Sequence, residues 1–185
     1  AQVHYNTYDK GYFPSKGSDF KAAYSLYTDN MAQYNEQAPF SALSASWASV
    51  IPATRRFSII PSIYGRVLIG KGIPYPLKNA IGGEVYGFYI PQQLPFAGVT
   101  NMELMENSII ITSLKFRQRM GSIHYLTGNY GLTDSHFFEI LKGKQLFGIS
   151  AGYGMDSVFG PLEISLGYSN QTDKGSCFVN LGYYF

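Results

Sequence analysis

The sequence predicts an all-β fold, a transmembrane antiparallel β-barrel with about eight strands in the chain. Three observations support this prediction. Apolar and polar residues alternate with a period of two in segment after segment, as expected for strands with one face in lipid and one face in a lumen. Only 14% of the 185 residues are charged and 16% are aromatic, against about 25% charged residues in soluble globular domains. The connections between segments alternate between short and long.

Strands are predicted at 18–29, 40–51, 56–69, 108–119, 122–132, 146–153, 159–169 and 175–185, with a ninth candidate at 3–8. The alternation is clearest at 56–69. One face there carries Phe57, Ile59, Ile63, Val67 and Ile69, and the opposite face carries Arg56, Ser58, Ser62 and Arg66. In 159–169, Leu162, Ile164 and Leu166 alternate with Glu163 and Ser165. Each segment therefore offers one apolar face.

The connections indicate how the strands sit in a membrane. Short turns are predicted at 52–54, 120–121 and 156–161, and long loops at 29–39, 70–107 and 132–144. Outer-membrane barrels have short periplasmic turns and long extracellular loops. A soluble barrel or sandwich also alternates and is the competing interpretation. The charge-poor polar face, rich in Gly and Ser, and the aromatic residues near strand ends favour the membrane barrel.

Composition excludes several other classes of protein. The aromatic content argues against disorder, and the lone Cys177 argues against a disulfide scaffold or a cysteine zinc site. A net charge of +2 gives no nucleic-acid footprint. Apolar runs such as 67–69 and 109–111 are far shorter than the roughly 20 residues of a spanning helix. No metal or cofactor motif is found, so no cofactor is predicted.

We expect residues 1–185 to form one barrel domain, with an N-terminal strand or turn at 1–17 and a long loop at 71–107 that folds into the lumen. Six charged residues are predicted to project into that lumen: Arg56, Arg66, Lys115, Arg117, Arg119 and Glu163. Charges at membrane depth belong inside a barrel. A packed, salt-bridged plug and a water path that favours anions are both compatible with them, although an eight-stranded interior is just wide enough to be filled by side chains.

Two patterns raise the possibility of lipid hydrolysis. Gly148-Ile149-Ser150-Ala151-Gly152 matches G-x-S-x-G, but a nucleophile elbow needs a strand-to-helix turn, and this pentapeptide lies within an alternating segment. Ser122 and His124 lie two residues apart on one strand face, as in outer-membrane lipid A deacylases. His124 follows a short turn, so a structural histidine at the periplasmic rim is the simpler interpretation. We therefore predict no catalytic residues.

Four further motifs resemble those of known outer-membrane barrels. The terminal strand, with Leu181, Tyr183 and Phe185 at alternate positions, resembles the C-terminal signal that barrel insertion machinery recognises. Residues 155–168 resemble the penultimate hairpin of BamA/TamA-type bacterial surface antigen barrels. Residues 12–17 and 124–131 resemble the barrels attached to patatin-like proteins of the same superfamily. The resemblance covers nearly the whole chain.

The resemblance implies a bacterial outer-membrane location and a non-enzymatic role in anchoring, translocation or insertion of partner proteins or lipids. It also implies a lumen loop tipped by V-R-G-[FY]. The matching stretch is Val85, Tyr86, Gly87, Phe88 and Tyr89, in which Tyr86 replaces the arginine. Barrels of this family usually have sixteen strands. We therefore expect either a half-length member, with two copies closing one ring, or the C-terminal part of a larger protein. A lipid hydrolase and a small diffusion pore are the alternatives.

Overall fold

The computed structural model describes residues 1–11, 13–28, 39–83, 92–134, 142–172 and 174–182. Nine strands form one sheet: β1 (Gln2–Asn6), β2 (Gly17–Tyr27), β3 (Phe40–Pro52), β4 (Phe57–Ile69), β8 (Ser108–Met120), β9 (Ser122–Asp134), β10 (Lys144–Ser157), β11 (Gly160–Ser169) and β12 (Gly175–Leu181). Every neighbouring pair is antiparallel. The predicted all-β antiparallel fold is confirmed.

Most strands of this sheet have an exposed apolar face and a more buried face, whereas all five residues of β1 are exposed. Exposed side chains include Phe20, Leu43, Trp47, Ile63, Leu114, Leu126, Phe147, Ile149, Ile164, Leu166, Val179 and Leu181. On the other face, Ile109 and Leu146 are fully buried, together with small polar residues such as Ser150 and Ser165. This arrangement is inverted relative to a soluble sandwich, and it matches a sheet whose outer face contacts lipid.

The described parts of the chain between β4 and β8, residues 70–83 and 92–107, lie against the inner face of the sheet. They form β5 (Asn79–Ile81), β6 (Gln93–Leu94) and β7 (Leu104–Glu106), which pair in the order β6-β5-β7, after a 3₁₀ turn at Tyr75–Leu77. Ile81, Leu94, Phe96 and Val99 are buried against Ile109, Ile111 and Leu146 of the sheet. The hydrophobic core therefore lies inside the curled sheet. In the described residues, no helix has the length and apolarity needed to cross a membrane.

The sheet has two ends, named here by their connections. The short-turn end carries residues 53–56, Gly121 and residues 158–159, and the long-loop end carries the connections that follow β2, β4, β9 and β11. In the described residues, β1 and β12 form the two edges of the sheet and are not paired with each other. Direction alternates from each strand to the next, and the sheet has nine strands. The first and the last, β1 and β12, therefore run in the same direction, toward the short-turn end.

Candidate functional site

Inward-facing glycines form a slot for the segment between β6 and β7. A Cβ atom on Gly148 of β10 would lie 2.1 Å from the carbonyl oxygen of Ala97, and one on Gly167 of β11 would lie 2.7 Å from the backbone nitrogen of Gly98. Gly98 itself has φ +76°, a conformation that side chains disfavour. The Thr172 hydroxyl donates to the Gly98 carbonyl at 3.2 Å. The backbone of the segment can touch the sheet here only because side chains are absent.

Arg66 connects β4 to the same inner segment at the long-loop end. Its Nη1 donates to Oδ1 of Asn79 at 2.6 Å and to the Leu77 carbonyl at 3.4 Å. The Asn79 amide nitrogen donates back to the Arg66 carbonyl at 3.2 Å and to the Asn107 carbonyl at 3.0 Å. Arg66 is 8% exposed and Asn79 is fully buried. This buried cation thus fixes where the segment leaves the sheet and where it returns.

A second inner element enters from the short-turn end. Phe13, in the turn between β1 and β2, is buried. Its ring lies against Gly154 of β10, where an added Cβ would be only 3.1 Å from the ring. Arg117 donates to the Pro14 carbonyl, and Arg119 donates to the Phe13 carbonyl at 3.1 Å. Phe13 has φ +46°, so these contacts hold a conformation that non-glycine residues rarely adopt. Two predicted lumen charges therefore tie this turn to β8.

The turn is also stabilised by its own hydrogen bonds. The Ser15 hydroxyl and backbone nitrogen both donate to the Asp9 carboxylate, the latter at 2.7 Å. The hydrogen bond from the Ser15 side chain is the main reason why the pKa of Asp9 is lowered to about 2. Burial raises the pKa of the Tyr8 phenol, with a further contribution from Asp19, while Arg117 opposes the shift. The turn is therefore an ordered element anchored to the interior.

A cavity of about 950 Å³ lies between the two inner elements. The N-terminal turn contributes Tyr8, Phe13 and Pro14, and the inner segment contributes Leu94, Pro95 and Phe96. The wall is formed by five strands of the sheet from β2 to β9, with Glu163 from β11. Only a strongly curled sheet can bring β2 and β11 to one cavity. Four cations also line it, Lys21, Arg66, Lys115 and Arg117, against the two anions Asp19 and Glu163.

The structure places the other predicted site residues as follows. Glu163 is 6% exposed, and Lys115 is half-buried on the inner face. Arg56 is exposed in the turn just before β4, which begins at Phe57, and its carbonyl accepts a hydrogen bond from the Arg119 nitrogen of β8 at 2.7 Å. Leu181 is exposed on the outer face of β12. The motif Val85–Tyr89 and the terminal residues Tyr183 and Phe185 lie outside the described residues.

Ser150 and His124, two of the candidates for lipid hydrolysis, lie on different faces of the sheet. Ser150 is 2% exposed and lies in mid-strand, paired with Thr127 and Gly167, so it does not occupy a strand-to-helix turn. The His124 ring faces outward, edge-on to Tyr153 with centroids 5.3 Å apart. The side chain of Ser122 lies outside the described part of the chain. Within that part, no cluster of three His, Cys, Asp or Glu residues could hold a metal ion.

Comparison with known families gives one decisive match. A family model of the OMP85 superfamily matches residues 1–185, the whole chain. The chain belongs to the OMP85 superfamily. OMP85 proteins are outer-membrane proteins of bacteria, so the exposed apolar face of this sheet is the face of an outer-membrane barrel. No protein with a curated description matches the chain.

The glycine slot was only partly visible in the sequence. The Gly- and Ser-rich polar face indicated a crowded interior, and Gly148 and Gly167 are among its members. What fills the slot could not be read from the pattern, because Ala97–Gly98 lies in a connection without alternation. A run of inward glycines on two adjacent strands is the signal that indicates close approach of another backbone.

Proposed function

We propose that this OMP85 chain is a non-enzymatic barrel unit that anchors, translocates or inserts a partner protein in the outer membrane. We also propose that a second copy completes its ring. The open sheet carries the proposal: β1 and β12 present unpaired edges in the described residues. The resemblance to barrels attached to patatin-like proteins supports a partner-bearing role.

The unpaired edges create a requirement for additional strands. Lipid offers no hydrogen-bonding partners, so every edge amide and carbonyl at membrane depth must be paired within protein. Edge strands also recruit other strands readily. A barrel unit with two such edges is therefore completed by another copy of itself, by further strands of a longer chain, or by a strand of the protein that it handles.

Strand direction limits how two copies can join. A two-fold axis along the membrane normal preserves direction, so β12 would meet β1 of the second copy in parallel. All eight pairings in the sheet are antiparallel, and bacterial single-chain barrels are antiparallel with even strand numbers. β12 would meet β2 in the antiparallel sense. We therefore propose that β1 yields its place on β2, which gives a sixteen-stranded ring.

β1 is suited to such an exchange. All five of its residues are exposed, whereas β2 and β3 pair over eleven positions. Its side-chain tie to β2 is a contact between His4 and Asp19 at 2.6 Å, and the N-terminal amine donates to the Tyr24 carbonyl. An exposed five-residue strand loses little packing when it leaves the sheet.

Mass in detergent and cysteine cross-linking test this assembly. We expect light scattering to give the protein mass of two chains, and a single-chain mass would count heavily against the proposal. Cys177 is the single cysteine and is exposed on β12. We expect Phe20→Cys or Tyr24→Cys on β2 to form a disulfide with Cys177 of a second copy. Leu114→Cys, exposed in mid-sheet, is the matched control and should remain monomeric on a non-reducing gel.

Two further results would contradict parts of the proposal. Cross-linking from Val3→Cys on β1, with none from β2, would show that β1 stays in the seam. No cross-link from either strand, together with a single-chain mass, would remove the second copy altogether.

The handling of a partner is tested separately. Vesicles that contain the protein should accelerate the insertion of an unfolded outer-membrane barrel protein, scored by its heat-modifiable gel mobility. Oxidation of the Phe20→Cys variant should abolish the acceleration by sealing the edges, and reduction should restore it. Acceleration that persists in the sealed protein would argue against a role of the edges. Large ion conductance in planar bilayers would favour a diffusion pore instead.

A further inference from the structure

The outward face of the sheet carries an apolar groove where a side chain is missing. Gly128 occupies an outward position in the middle of β9, and a Cβ built there meets no atom within 4 Å. Its cross-strand neighbours are Leu114 on β8 and Ile149 on β10. The resulting groove has a volume of about 580 Å³. Elsewhere the same face is formed largely by exposed large apolar side chains.

Aromatic rings form the wall of this groove toward the long-loop end. Tyr130 is the next outward residue after Gly128, and its ring packs against Phe147 with centroids 5.0 Å apart. Tyr168 on β11 lies across from Ile149 and extends the wall. The groove therefore runs from the middle of β9 to the end of β11. It is open toward the outside, and its lining surface is mostly apolar.

The long-loop end of the groove is polar and basic. Asn170 closes the groove through a hydrogen bond from the Phe147 nitrogen to its Oδ1 at 2.8 Å and another from its Nδ2 to the Gln145 carbonyl at 3.2 Å. Lys142 is exposed at this end, in the connection just before β10. Lys144 belongs to the inner face of β10, because it alternates with buried Leu146 and pairs with buried Thr133. The apolar groove thus leads toward the end of the sheet that carries Lys142.

We propose that this groove, the Gly128 groove, holds one acyl chain of a lipopolysaccharide-type glycolipid of the outer leaflet. The groove is continuous with the lipid-facing surface of an outer-membrane barrel. Long loops are extracellular in such barrels, so its upper end lies in the outer leaflet. A phosphorylated head group complements Lys142 at that end, and the acyl chain fills the space left by Gly128.

Packing is the physical reason for selective retention. Lipid tails are as apolar as Leu side chains, so burial in the groove gains nothing from the hydrophobic effect. The gain comes from dispersion contacts on several sides of one chain, where a flat surface offers contacts on one side only. Aromatic rings fixed by a neighbouring ring lose little freedom when the chain binds.

Native mass spectrometry of the whole protein with added lipopolysaccharide lacking O-antigen tests the site. We expect wild-type protein to retain one glycolipid per chain, and Gly128→Leu to lose this species. Gly65→Leu is the matched control, because Gly65 is also an outward mid-strand glycine whose added Cβ would have only ordinary contacts, at 3.7 Å or more. Gly128→Val provides a second filling variant with a side chain that strands favour.

Folding and ligand identity are checked in the same samples. All variants should keep heat-modifiable gel mobility, which shows that a lost lipid is not a lost fold. Lys142→Gln should reduce glycolipid retention, whereas Lys144→Gln, on the inner face of β10, should not. Equal retention by wild type, Gly128→Leu and Gly65→Leu would overturn the proposal and indicate ordinary annular lipid. Equal retention of phosphatidylglycerol and the glycolipid would overturn the assignment to the outer-leaflet lipid.

Discussion

Replacing Gly148 with alanine should destabilise the protein, because the added methyl group enters the space of the inner segment. The new Cβ would lie 2.1 Å from the Ala97 carbonyl oxygen and 2.8 Å from the Phe96 ring. Backbone oxygen cannot swing aside as a flexible side chain can. Gly128→Ala, on the adjacent strand but facing outward, makes the same chemical change where nothing lies within 4 Å.

The size of the effect follows from two competing responses. Overpacking of a fitted interior costs about 1–3 kcal/mol. If the segment is expelled instead, loss of the Phe96 burial alone costs about 1.5–3 kcal/mol. Either response lowers the free energy of unfolding of Gly148→Ala by about 2 kcal/mol. Gly128→Ala should gain about 0.5 kcal/mol, because alanine loses less conformational entropy in a strand than glycine does.

Urea unfolding in detergent, followed by heat-modifiable gel mobility, measures both variants under the same conditions. Limited proteolysis of residues 92–107 adds a local readout, since an expelled segment becomes cleavable. Equal unfolding midpoints for the two variants, with the segment protected in both, would refute the close approach of Ala97 to β10.

Three other perturbations have defined outcomes. Arg66→Leu leaves Oδ1 of buried Asn79 without its donor and should cost about 1–3 kcal/mol in the same urea assay; an unchanged midpoint would contradict the anchor. Phe13→Ala should cost about 3–5 kcal/mol of turn stability, seen as faster tryptic cleavage at the N-terminal turn, and unchanged cleavage would argue against its burial. The lowered pKa of Asp9 means that its stabilisation is complete above about pH 4 and is lost as pH falls through about 2. An NMR titration should give a midpoint near 2 that Ser15→Ala raises toward 3.8; no change on substitution would contradict that cause.

The main sheet was predictable because successive side chains of a strand point to opposite faces. In a membrane barrel one face contacts lipid and the other faces the interior, so the sequence alternates. At β4 the outward Ile63 and the inward Arg66 separate as the period of two requires. The same rule does not define where a strand begins. Arg56 continues the polar–apolar alternation of β4, yet it lies in the turn. Phe57, one residue later, is the first residue of β4 in register with β8.

The interior was not predictable at the level of contacts. β5, β6 and β7 are only two or three residues long, too short to show any period. Their position depends on non-local contacts, such as Asn79 with Arg66 and Gly98 with Gly167. The Gly128 groove was not predictable for a related reason. An isolated outward glycine indicates a groove only when the side chains beside it on the neighbouring strands are known.

The glycine slot has a consequence for the order of assembly. Ala97 and Gly98 precede β10 and β11 in the chain by about fifty residues or more, yet they sit beneath both strands at van der Waals distance. A preformed, fully rolled sheet would leave no route for a backbone to slide into that space. Docking of the inner segment and closure of β10 and β11 over it are therefore coupled, because neither side of this contact has room for an added side chain.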